Sequence, residues 1–166
     1  DCVATNTTCS GYRPAQLVEN MGADWCQPCQ IVETQLDERT EDDTFILRHH
    51  PSPKDVSYLS ESYYRFSTIL GLWGLPTMVI DGEGLLAGSS QIAELEVALS
   101  NRSDTNFTGL TAVELVNGTL QWDTATSNTF IEVWTTTEIN HEEEGYALTN
   151  MAVNHTFSAG ADIAVD

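Results

Sequence analysis

The sequence predicts an α/β domain, a mixed sheet flanked by helices, followed by a small antiparallel β unit. Three observations carry this. Strand-like and helix-like stretches alternate from residue 15 to 100. A Trp25-Cys26-Gln27-Pro28-Cys29 run sits where the first strand hands over to the first helix. Beyond residue 101 no long helical pattern recurs, and Asn117-Gly118 joins two alternating segments. The expected domains are 1–101, including an N-terminal extension, and 102–166, a β-sandwich-like unit.

Each element has its own reason. Residues 15–22 read as a short strand. From Pro28 to about Arg39, Ile31, Val32 and Leu36 recur at helical spacing, and Pro28 falls in the first turn, where its missing N–H costs nothing. Residues 44–49 are an apolar burst of the kind a buried strand needs, and His50-Pro51-Ser52-Pro53 stops it. Over 55–70, Val56, Leu59, Tyr63, Phe66 and Leu70 predict a helical face. Gly71 to Leu75 is a loop ending at Pro76. Residues 77–81 and 84–87 flank Gly82-Glu83 as a hairpin, and 90–100 predict a last helix capped by Ser89 or Ser90. After a polar stretch at 101–109, the segments 110–116 and 119–123 flank Asn117-Gly118, which suits a type I′ turn. Residues 129–137 and 146–157 complete the β unit.

Composition narrows the function. The 166 residues carry 6 Lys+Arg against 25 Asp+Glu, a formal charge of -19, and Lys54 is the one lysine. Such a surface repels phosphates and argues against nucleic acid as a partner. The acids are dispersed, which fits either adaptation to salty surroundings, where screening weakens self-repulsion, or an acidic secreted protein. No stretch approaches the roughly 18 to 20 apolar residues of a membrane-spanning helix. No EF-hand ligand spacing occurs, and Asp81-Gly82-Glu83-Gly84 reads as a tight turn.

The four cysteines form two close pairs. Cys2 and Cys9 lie in a Thr/Asn-rich segment and are expected to close a structural disulfide, which requires an oxidising compartment. Sequons at Asn6, Asn101, Asn106, Asn117 and Asn154 point the same way, as does the polar start at Asp1, which resembles a mature chain after leader removal. The expected location is extracellular or the cell envelope. Cys26 and Cys29 differ from the first pair in context. A cysteine at a helix N-terminus meets unsatisfied N–H groups and the positive end of the dipole, both of which favour thiolate. Two intervening residues set the second sulfur one turn on. Cys26 is thus the expected exposed nucleophile and Cys29 the more buried resolving thiol.

The segment 23–29, with Gly74-Leu75-Pro76-Thr77 about fifty residues on and a hairpin after it, resembles the thioredoxin-like superfamily across residues 12–100. The resemblance implies a cis bond at Pro76 facing the cysteines, with Leu75, Pro76 and Thr77 contacting substrate. Trp25 and Trp73 join them as candidate substrate-binding residues, Trp25 shielding Cys29 and Trp73 lining a groove or closing the core. The His pair after the second strand, Tyr63-Tyr64 and the appended β unit resemble secreted Omp28-like or DUF1223-like proteins. One position departs from the thioredoxin pattern: the buried acid six residues before the first active cysteine is replaced by Asn20. Glu19 beside it should point to the opposite face by strand alternation. Proton transfer to Cys29 would then need water, a histidine or substrate.

His49 and His50 are the expected relay, one of them reaching the cysteine loop. Together with Cys26 and Cys29 they are also a conceivable copper or zinc set, set against a plain loop pair with no ligand. Trp122 and Trp134 are expected to fill the core of the β unit. The leading reading is an extracytoplasmic thiol–disulfide oxidoreductase acting on protein thiols and disulfides without a cofactor, in the oxidase or isomerase direction. The alternatives are a permanently bridged envelope or filament module that pairs through its β unit, and a metal-binding protein.

Overall fold

The computed structural model describes residues 8–9, 16–39, 44–102, 110–116, 119–124, 131–141, 146–158 and 163–164. The strands are β1 (Thr8–Cys9), β2 (Gln16–Met21), β3 (Thr44–His49), β4 (Thr77–Ile80), β5 (Gly84–Ala87), β6 (Leu110–Val116), β7 (Thr119–Thr124), β8 (Ile131–His141), β9 (Tyr146–Ser158) and β10 (Ile163–Ala164). The helices are α1 (Gln27–Asp37), α2 (Ser60–Tyr64), which runs on as a π-helical turn over Arg65–Ile69, and α3 (Leu95–Arg102), preceded by a 3-10 stretch over Ser89–Glu94.

Two compact units form. The larger comprises residues 15–104 and 134–155 and holds a six-stranded sheet in the order β5-β4-β2-β3-β9-β8. Its centre is built from β2, which pairs parallel with β3 and antiparallel with β4. The expected hairpin is present as β4–β5, turning through Asp81 and Gly82 at positive φ. All of Val18, Glu19, Asn20 and Met21 are buried, so β2 is covered on both faces. On one face, Val18 and Ile80 pack with Val32 and Leu36 of α1 and Leu95 and Leu99 of α3. The smaller unit, residues 1–14, 105–133 and 156–166, holds a four-stranded sheet in the order β1-β6-β7-β10, with the predicted β6–β7 hairpin at its centre.

Three expectations change. The division does not fall between residues 101 and 102, because β9 pairs parallel with β3, Arg48 opposite Met151, and carries residues 134–155 into the larger unit. Trp134 accordingly packs on His49 rather than in an appended β core. The 55–70 helix begins only at Ser60. Asp55 N–H instead bonds Ser52 O at 2.9 Å and Tyr58 N–H bonds Asp55 O at 3.3 Å, turning the chain before the helix starts. Val56, placed on the buried face by its spacing, is 89% exposed. Cys2 lies outside the described residues, and with it the expected Cys2–Cys9 bridge.

Candidate functional site

The site grows from the junction of β2 and α1. Cys26 is the N-cap of α1: its carbonyl accepts from Cys29 N–H at 2.8 Å and Gln30 N–H at 3.2 Å, and Pro28 lies in the first turn. Cys26 and Cys29 are joined in a disulfide. Both are covered, Cys26 at 7% and Cys29 at 1% exposure, so Cys26 is the more accessible of the two without being freely exposed. They pack with Ala23, and Leu75 closes over them. The Leu75–Pro76 bond is cis. Pro76 O accepts from Gly88 N–H at 2.9 Å, and Thr77 Oγ1 donates to Gly74 O at 2.7 Å. The loop bearing Leu75, Pro76 and Thr77 therefore meets the cysteine pair through Leu75.

Both tryptophans lie on the surface, so neither the shielding of Cys29 by Trp25 nor the closing of the core by Trp73 is seen. Trp25 is 58% exposed, and the cover over Cys29 comes from Ala23 and Leu75. Trp73 is 95% exposed and closes no core. The histidines diverge as strand alternation requires. His49 points to the face carrying Glu19, where its Nε2 lies 3.4 Å from Glu19 Oε1 and its Nδ1 hydrogen-bonds Ser62 Oγ at 2.9 Å. The Trp134 ring stands edge-on to it at 4.7 Å. Burial alone would raise the Glu19 carboxyl, but hydrogen bonds from His49 and Arg65 and their charges hold it below its usual value.

His50 goes the other way, to the cysteine side. Its Nδ1–H donates to Asp55 Oδ1 at 2.9 Å and lies 3.4 Å from Asp24 Oδ1. Asp55 also accepts from the Ser57 and Asp24 backbone N–H groups at 2.9 and 2.7 Å. Burial opposes ionisation of Asp55, yet the His50 hydrogen bond and charge outweigh it and bring its pKa to about 2. The set of Cys26, Cys29, His49 and His50 is not assembled, because His49 lies on the other face. The described residues whose ligand atoms do converge, within 4.8 Å, are Asp24, His50 and Asp55.

Glu33 is the residue the sequence left unmarked. It sits four residues after Cys29 and therefore on the same face of α1, 2% exposed. Its Oε2 accepts from Arg48 Nε at 2.5 Å and its Oε1 from Asn20 Nδ2. Arg48, itself 1% exposed, also donates to Asp37 Oδ1 at 2.6 Å and to Thr149 O at 2.6 Å. Burial pushes the Glu33 carboxyl up; Arg48 and His50 oppose this and Asp37 adds to it. A Cβ on Gly22 would stand 3.1 Å from Glu33 Oε1, 3.6 Å from His50 Nε2 and 3.7 Å from Cys29 Cβ. Asn20 thus removes the strand acid without removing acid from the site. The available signals were a carboxylate inside the stripe Cys29, Val32, Leu36 and an arginine inside the apolar run of β3.

A parallel β2–β3 pair with α1 between them, an antiparallel β4–β5 hairpin, and a cis-proline loop against a Cys-x-x-Cys pair define the architecture. The fold is thioredoxin-like. The chain is similar to several solved structures. A structural-genomics crystal structure of a protein from Agrobacterium tumefaciens matches with a TM-score of 0.62 at 14% identity, over 93% of this chain and 79% of that one. Mitochondrial thioredoxin 3 of Saccharomyces cerevisiae, in its oxidized form, matches 54% of this chain and 80% of its own at 19% identity and a TM-score of 0.41. A mutant thioredoxin from Halobacterium salinarum matches 55% of this chain and 78% of its own at 23% identity and a TM-score of 0.38. No protein-family model and no curated protein matches the sequence.

Proposed function

We infer that this protein is an extracytoplasmic thiol–disulfide oxidoreductase acting on protein thiols and disulfides. One observation carries the reading: the Cys26–Cys29 disulfide lies at the N-terminus of α1, with Leu75 of the cis Leu75–Pro76 loop packed on it. Only a thiolate attacks a disulfide, and a helix N-terminus stabilises one at Cys26. A substrate thiolate would attack Cys26, the less covered sulfur, and Cys29 would leave. Trp25 and Trp73, both exposed, offer apolar surface to a substrate chain on either side of the pair in sequence. His50 is the histidine for proton relay, since its Nε2 and Cys29 Cβ lie 3.6 and 3.7 Å from where a Cβ on Gly22 would stand.

The oxidase or isomerase direction is favoured by the oxidising compartment that Cys2, Cys9 and the sequons suggest. Glu33, hydrogen-bonded to Asn20, leaves a carboxyl on the cysteine side of β2. The His pair at the end of β3 and the strands that follow the core support a layout like that of the secreted Omp28-like or DUF1223-like proteins. The β unit would supply an envelope or filament partner surface.

Thiol labelling across a series of dithiothreitol poises tests the reading. A potential well above about −300 mV is expected, since inert structural disulfides lie below that. A Cys26→Ser variant should lose all turnover of a model disulfide. A potential below that range, or turnover that survives Cys26→Ser, would overturn the assignment in favour of a permanent bridge or another nucleophile.

A further inference from the structure

Two carboxylates and an imidazole meet beside the cysteine loop, each from a different segment. Asp24 belongs to the turn between β2 and α1, His50 follows β3, and Asp55 lies in the turn before α2. The side chains of His50 and Asp55 are 2% and 0% exposed. That of Asp24 is 19% exposed, with both carboxylate oxygens covered from solvent. Carboxylates held this close and away from water call for positive charge between them. Arg48, two residues before His50, is engaged with Glu33 and Asp37, and Lys54 in the neighbouring turn is exposed.

The separations between the ligand atoms suit a single ion. His50 Nδ1 lies 2.9 Å from Asp55 Oδ1 and 3.4 Å from Asp24 Oδ1, and all three ligand atoms fall within 4.8 Å. Ligands about 2.1 Å from a zinc-class ion stand about 3.0 Å apart at a right angle and about 3.4 Å apart at the tetrahedral angle. We propose that Asp24, His50 and Asp55 form a binding site for a divalent ion of the zinc class, which ties the cysteine loop to the end of β3. No sulfur takes part, so the site stands apart from the redox reading.

The donor set selects the ion. An imidazole nitrogen argues against calcium and magnesium, which take oxygen ligands. A set of nitrogen and oxygen atoms without thiolate or thioether argues against copper(I). Asp55 is oriented from outside the set, since its Oδ1 also accepts from Ser57 N–H at 2.9 Å and its Oδ2 from Asp24 N–H at 2.7 Å. The ion displaces the proton of His50 Nδ1, and the neutral ring keeps its hydrogen on Nε2. Water takes the fourth position, on the side where Asp24 is the least covered of the three. Occupancy therefore clamps the loop before Cys26 to the turn that carries Asp55.

The experiment uses the full chain, stripped with EDTA and oxidised, with any residual thiol blocked by iodoacetamide so that sulfur cannot hold zinc. Zinc chloride is titrated by calorimetry in about 1 M potassium chloride, where a screening length of about 3 Å suppresses loose binding to surface acids. One zinc per chain should bind with micromolar affinity or tighter, and about a tenfold excess of calcium should not displace it. Asp24→Asn should weaken binding about tenfold or more. His50→Asn, which keeps an N–H for Asp55 but offers no ring nitrogen, should do the same. Glu83→Gln, in the exposed β4–β5 turn, should change nothing. Zinc should raise the urea midpoint of wild type but of neither site variant, and the same melts report whether each variant folds. Cobalt(II) in the site should give visible absorption bands that both site variants lose. No zinc binding, binding that survives both site variants, or displacement by calcium would overturn the proposal; the last two would move the ion to His141, His155 or the surface acids.

Discussion

Gly22 shows how one missing methyl shapes the site. It follows β2, donates its N–H to His49 O at 2.9 Å, and by lacking a side chain lets Glu33, His50 and Cys29 crowd against it. A methyl there would lie 3.1 Å from Glu33 Oε1. That oxygen cannot step aside freely, since Asn20 and Arg48 hold the carboxyl from two directions. Gly22→Ala should therefore cost about 1–3 kcal/mol, the usual range for overpacking. It should also change the alkylation rate of Cys29, whose Cβ is 3.7 Å from the new methyl. Urea unfolding and a thiol-labelling time course measure the two effects. A variant as stable as the parent would mean that Glu33 is not anchored as described.

At the scale of elements, α1 presents Cys29, Val32, Glu33 and Leu36 to the sheet and leaves Ile31 51% exposed. Leu36→Ala should lose about 2–5 kcal/mol because Leu36 is buried in the cluster with Val18 and Ile80. Ile31→Ala should stay within about 0.5 kcal/mol. Equal losses in paired urea melts would show that the buried face is misassigned. The contrast marks what the sequence does and does not reveal. The cysteine motif was legible because it depends on neighbours in the chain: a strand before it, a helix after it, a proline in the first turn. The same apolar spacing predicted α1 but not its face, since the true stripe includes a charged residue. Glu33 belongs inside only because Arg48, brought alongside by β3, meets it, and no local period reports a partner fifteen residues away. Likewise, alternation identified β8 and β9 as strands without saying which sheet they join. The turn at 55–59 overrode a helical pattern because Asp55 is drawn to His50.

For the whole chain, the deciding quantity is charge. With 6 Lys+Arg for 25 Asp+Glu, most carboxylates have no cation to pair with. Folding gathers them, and the resulting repulsion opposes the compact state. Raising chloride from about 0.1 M to about 1 M shortens the screening length from about 10 Å to about 3 Å. Two effects then compete. Repulsion among exposed acids weakens, and so does attraction in exposed pairs such as Arg39–Glu96, in which the glutamate side chain is 65% exposed. Buried pairs such as Arg48–Glu33 lose much less, because the ions stay outside. Six cations cannot offset the repulsion of so many anions, so stability should rise with potassium chloride, seen as a higher urea midpoint at constant slope. Chloride is the right anion, since sulfate would strengthen apolar burial by itself. A midpoint that stays level or falls with salt would show that the acids are spaced too widely to repel, and the reading of the surface as salt-adapted would fail with it.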